Sequence, residues 1–120
     1  MEIYEQESKL YKALMHPARL AILDLLRAGE ACVCHMEATF KFRQAYISQQ
    51  LMVLRDAGLV EDRRDGLNIY YRVIRPEIFA VLDSMRQVTG VRPAAAKPKR
   101  NACTCPNCVA ESTKPQLIQI

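Results

Sequence analysis

No run of about eighteen apolar residues occurs anywhere in the 120-residue chain, so no segment is expected to cross a membrane. The opening MEIYEQESKL lacks both the basic start and the apolar stretch of a secretory signal, and the chain is read as cytoplasmic. There is no phosphate-binding glycine loop, no pair of poised carboxylates, and no cysteine supported by a histidine and an acid. These absences argue against an enzyme. No internal repeat is visible, and the length suits one domain with a tail.

What the chain does hold is five cysteines in two tight groups, Cys32 and Cys34 in ACVCHME and Cys103, Cys105 and Cys108 in CTCPNC. An odd count in a reducing compartment argues against a disulfide framework and for metal or redox chemistry. The net charge of +4 is uneven. Residues 1–90 balance twelve basic against twelve acidic side chains, while residues 91–120 carry five against one. Within the first part, residues 41–75 hold seven basic and four acidic side chains, a local excess that suits contact with nucleic acid.

The apolar spacing predicts a first amphipathic helix over residues 7–15 and a second opening at Pro17 and running to Gly29, with His16 as a cap or surface residue. A short helix over residues 32–40 and a longer one over residues 44–57 follow, joined by three residues as in a helix-turn-helix. In the longer helix Ile47, Leu51 and Leu54 form one stripe, leaving Ala45, Ser48, Gln49 and Met52 on the opposite arc. Asp65-Gly66 lies between two segments of strand composition and predicts a hairpin with Arg63, Arg64 and Asn68 at its tip. A last helix from Pro76 sets Ile78, Val81, Leu82, Met85 and Val88 on one side, as core or as a partner surface. Residues 1–90 are thus one mainly α domain with a small β-hairpin, a winged helix-turn-helix. Residues 91–120, with four of the six prolines, are read as a flexible basic tail carrying CTCPNC.

PARLAILDLL, then CVC, then ISQQLMVLRDAGLVEDRRDGLNIYYRV resembles the ArsR/SmtB family of metal-responsive transcriptional repressors, over roughly residues 10–88. The resemblance implies a homodimer joined by its first and last helices, which binds palindromic double-stranded operator DNA and leaves it when an inducer binds. A helix in the major groove offers its N-terminal outward side chains to base edges, here Gln44, Ala45, Ser48 and Gln49 with Tyr46 at the flank. Arg63 and Arg64 on the wing would serve phosphates or a narrow minor groove.

On a regular helix, residues two apart point about 200° from one another, so Cys32 and Cys34 are expected to share an ion only if the first turn unwinds. Metal binding and the DNA-competent geometry would then compete. In the family, relatives with Cys-x-Cys in this helix sense arsenite, cadmium, lead or zinc. Soft ions want three or four thiolates, and Cys103, Cys105 and Cys108 are candidates to complete the set, with His35 as a further nitrogen ligand for zinc. All-sulfur ligands disfavour nickel, cobalt and manganese, and the resemblance favours trivalent arsenic or its methylated form, then cadmium, lead or zinc. Two alternatives stay open: a structural zinc knot in the tail, and a thiol redox repressor in which Cys32 or Cys34 bonds to the tail.

Overall fold

The computed structural model describes residues 1–91. The elements run α1 (Glu2–Leu14), α2 (Pro17–Leu25) with a 3-10 turn (Leu26–Ala28), β1 (Ala31–Cys32), α3 (Val33–Phe40), α4 (Gln44–Asp56), β2 (Val60–Asp65), β3 (Asn68–Val73) and α5 (Glu77–Thr89). The expected winged helix-turn-helix is present: α3 and α4 form the helical pair, and β2 and β3 the wing. Cys103, Cys105, Cys108 and the rest of the predicted tail after Val91 lie outside the described residues.

Local signals explain most boundaries. α1 begins five residues before the predicted start, with Glu2 and Glu5 in its first turn and Lys12 in its last, each matching the sign that end of the helix dipole favours. Pro17 stands at the start of α2 and the His16 ring caps it, Nδ1 accepting the Ala18 N–H at 3.2 Å. In the hairpin, Asp65 pairs with Asn68, and Gly66 takes the positive φ of 62° at the first of the two turn positions.

The α3–α4 turn is less relaxed. Lys41 ends α3 in the left-handed region at φ 58°, where a side chain is strained and glycine is not. Lys41→Gly is expected to raise stability by roughly 1 kcal/mol, read as an upward shift of the thermal midpoint at fixed protein concentration.

Ile22, Leu23, Met36, Ile47, Leu51 and Leu54 are fully buried at the centre, so the predicted stripe of α4 is its inner face. The predicted stripe of α5 divides instead. Ile78 and Leu82 enter the core, while Val81, Met85 and Val88 stay exposed, as do Ile3, Tyr4 and Tyr11 on α1. α5 is tied to the body by ion pairs: Arg27 grips Asp83 with both ends of its guanidinium at 2.6 and 3.2 Å and holds Asp24 at 2.9 Å, and Arg86 also bonds Asp24. Hydrogen bonding from Arg27, with the nearby charges of Arg27 and Arg86, holds the Asp83 carboxyl below the usual carboxylate range. A depressed folded value means that the pair stabilises above the ordinary carboxylate pKa, and that this is lost as pH falls through the lowered one. Asp83→Asn should therefore lower the thermal midpoint at neutral pH and converge with the parent in acid. A gap that persists unchanged into acid would refute this role for the charge.

The sheet differs from expectation in one strand. β1 was not predicted; it pairs antiparallel with β3, Ala31 opposite Tyr71 and Cys32 opposite Tyr70, giving the order β1-β3-β2. Two residues carry no periodicity to detect, and only the presence of β3 makes them a strand.

Candidate nucleic-acid interface and cysteine site

The inner face of α4 is locked by Ile47, Leu51 and Leu54, so its outer face is held at a defined angle. Gln44, Ala45, Ser48 and Gln49 are all exposed there, beside Met52. Tyr46 is half-buried and braced. Its ring meets Phe42 edge-on at 5.1 Å, Phe42 stacks on Phe40 at 5.9 Å, and its hydroxyl lies 3.3 Å from His16 Nε2. Because His16 Nδ1 accepts the Ala18 N–H, the neutral ring carries its proton on Nε2, which donates to Tyr46. His16 is thus a cap and a brace, and Tyr46 steadies the entry of α4 as much as it flanks the outer arc.

Gln50 was not among the predicted site residues, although it lies on the same side as Ile47 and Leu54. It is 7% exposed, the one buried polar side chain among the described residues. Its Oε1 accepts from Arg19 Nη1 at 2.8 Å, while the same guanidinium donates to the Ala13 and Lys12 carbonyls at 2.6 and 3.1 Å. One arginine therefore closes the C-terminal end of α1 and fastens α4 to it. Nothing in the local pattern around Arg19 signals this.

On the wing the two predicted arginines differ. Arg64 is exposed and forms no ion pair among the described residues. Arg63 is held: Nε donates to Glu30 at 3.2 Å, Nη2 to the other oxygen of the same carboxylate, and the guanidinium lies 4.8 Å from the centre of the Tyr70 ring. The hydrogen bond to Glu30 raises Arg63 above the ordinary arginine value. Other wing charges are matched locally, Glu61 by Arg72 and Asp62 by Arg55 at 3.7 Å.

The cysteine pair departs from expectation. Cys32 is not the first helical residue but the N-cap, extended at φ −85° and ψ 160°, with its sulfur accepting the His35 N–H at 3.3 Å. Cys34 lies inside the first turn of α3. The change from strand to helix between them brings the sulfurs to 2.6 Å rather than 200° apart. No unwinding is needed for the two to face one ion, because the 200° argument holds only if both residues are helical.

The donor chemistry fits a soft ion. Cys32 is buried with Tyr70, and Cys34, half-buried, packs against that pair. Tetrahedral coordination at a metal–sulfur distance of about 2.3 Å sets two thiolates about 3.8 Å apart, so chelation would part this pair by about 1 Å. A covalent bridge would need them to close to about 2.05 Å. Among the described residues no group of three or more His, Cys, Asp or Glu side chains forms a complete metal site. His35 is half-buried and contributes its backbone N–H to Cys32.

Comparison with known proteins agrees with the fold. Residues 16–62 match the model of the bacterial regulatory protein, arsR family. The arsenical resistance operon repressor of Staphylococcus aureus is 33% identical over 104 residues, which cover 87% of this chain and 92% of that protein. The biofilm growth-associated repressor of Agrobacterium fabrum is 41% identical over 76 residues, 63% of this chain and 65% of its own length. The solution structure of the homodimeric winged helix-turn-helix DNA-binding domain Mb0332 from Mycobacterium bovis superposes with a TM-score of 0.62 at 36% identity, covering 74% of this chain and 82% of that one. No helix of the described residues is long and apolar enough to cross a membrane. With this fold and these relatives, which are transcriptional regulators and not enzymes, the chain belongs to the ArsR family of bacterial regulatory proteins.

Proposed function

We propose that the chain is a cytoplasmic homodimeric repressor that binds operator DNA and leaves it when a soft thiophilic ion binds its cysteines. The observation that carries the reading is the contact between the Cys32 and Cys34 sulfurs at the start of α3, the helix packed against α4. An ion that parts them acts on the element that supports the reading helix, which gives the two sites a physical connection.

DNA contact is assigned to Gln44, Ala45, Ser48 and Gln49 for base edges, Tyr46 at the flank, and Arg63 and Arg64 for phosphates. Exposure of the outer arc of α4 supports this. The exposed apolar side chains of α1 and α5 support a dimer through those helices, and Mb0332, a relative in fold, is homodimeric. For the inducer, two thiolates favour arsenite or methylarsenite, then cadmium, lead or zinc, with Cys103, Cys105 and Cys108 completing an S3 or S4 set. The naming of the S. aureus relative as an arsenical resistance repressor supports arsenic.

The test is fluorescence anisotropy of the reduced protein on DNA from just upstream of its own gene, titrated with arsenite, cadmium, lead, zinc and peroxide. Release by one soft ion at about two or fewer equivalents per dimer is expected. A second reading draws on the same sulfur contact: oxidation of the pair by peroxide, with two thiols giving up two electrons and two protons to form a bridge. Release by peroxide alone, reversed by a thiol, would establish that reading and overturn the first.

A further inference from the structure

The wing arginine and the cysteine pair are two ends of one run of contacts. Arg63 stands opposite Tyr70 across β2 and β3, and Tyr70 stands opposite Cys32 across β3 and β1. Directly opposed residues of antiparallel strands project to the same face, so the three form one row across the sheet. The contacts agree: the guanidinium covers the Tyr70 ring at 4.8 Å, and Tyr70 is buried against Cys32 with Cys34 packed beside it. Glu30, two residues before Cys32, closes the circuit by binding Nε and Nη2 of Arg63.

We propose that Glu30 is an internal competitor of the DNA backbone: its carboxylate occupies the edge of the Arg63 guanidinium that a phosphate would take, and its position is governed by the strand that carries Cys32. An arginine offers a bidentate anion a side-on edge of Nε and Nη2 and an end-on edge of Nη1 and Nη2. Glu30 fills the first and Asp65 stands 3.9 Å from Nη1 at the second, so a phosphate that grips the side-on edge must displace Glu30. Arg64, the neighbouring wing arginine, has no such competitor among the described residues and contacts phosphate without an exchange. An ion that bridges Cys32 to α3 pins β1 and with it Glu30, which raises the cost of giving Arg63 to DNA. That second half rests on the cysteine reading above; the first half does not.

The test uses the full reduced chain and a labelled duplex of about 30 base pairs, long enough for two half-sites, from immediately upstream of its gene. Without any ion, Glu30→Gln keeps the shape and removes the competing charge. It should tighten binding roughly two- to fivefold per subunit, the range set by an exposed ion pair, and steepen the dependence of log K on log salt by about 0.9 per subunit, one added phosphate contact in each half-site. In an Arg63→Ala background the same change should do nothing. An equal gain in both backgrounds would mean a general loss of negative charge near DNA, and no gain in either would mean no competition; each overturns the proposal.

Repeating the cycle with cadmium chloride tests the second half. The ratio of affinities without and with the ion should be smaller for Glu30→Gln than for the parent. An unchanged ratio would remove Glu30 from the response. If neither protein is released by cadmium, arsenite, lead or zinc, the cysteine reading fails and the regulatory half with it, while the ion-free cycle still decides the competition.

Discussion

Cys34→Ser is expected to leave DNA binding within about twofold of the parent and to abolish release by the soft ion. Serine is close to cysteine in size, so the packing against the Cys32 and Tyr70 pair and the start of α3 survive, but a neutral hydroxyl is a poor ligand for a thiophilic ion. With one sulfur of the pair gone, the ion has no means of bridging β1 to α3. The 5- to 150-fold effect on affinity typical of allosteric coupling should collapse to about onefold. Cys32 needs a more careful substitution because its sulfur also caps α3. Cys32→Ser preserves a good N-cap and should behave like Cys34→Ser, whereas Cys32→Ala also costs about 1 kcal/mol of stability through the lost cap. Anisotropy titration of both serine variants decides the matter, and parental release from both would remove this pair from sensing.

Arg19→Met should lower stability by roughly 3 kcal/mol, since one side chain makes three hydrogen bonds, each from a charged donor. For a domain of this size 1 kcal/mol shifts the thermal midpoint by about 4–8 °C, so a fall of more than about 10 °C is expected. Most of the loss comes from stranding the buried Gln50 oxygen and the last carbonyls of α1. Adding Gln50→Leu to Arg19→Met removes the stranded amide and should recover part of that stability. It should not recover DNA affinity, because α4 would no longer be fastened to α1. Thermal melts at one fixed protein concentration, set beside anisotropy, separate the two effects. A midpoint unchanged in Arg19→Met would refute the three-helix clamp.

Where a structural signal lies within one helical turn or one tight turn, it was readable from the residues alone. The spacing of Ile47, Leu51 and Leu54 named the buried side of α4, His16-Pro17 marked the start of α2, and Asp65-Gly66 located the wing. The exposed arc of Ala45, Ser48 and Gln49 followed from the same period of 3.6. Each depends on contacts between residues no more than seven apart, which the covalent chain enforces.

The remainder depended on partners brought together from far along the chain. Cys32 is extended because Tyr70, 38 residues later, gives its backbone a strand to pair with, and that alone turns its sulfur toward Cys34. Arg63 finds Glu30 across 33 residues, and Gln50 finds Arg19 across 31. The stripe of α5 divides into buried Ile78 and Leu82 and exposed Val81, Met85 and Val88 because only part of one helical face can reach the core. Local propensity chooses helix, strand or turn within a few residues, but the partner of a buried or charged side chain is set by the packing of whole elements, where many distant groups compete for the same place.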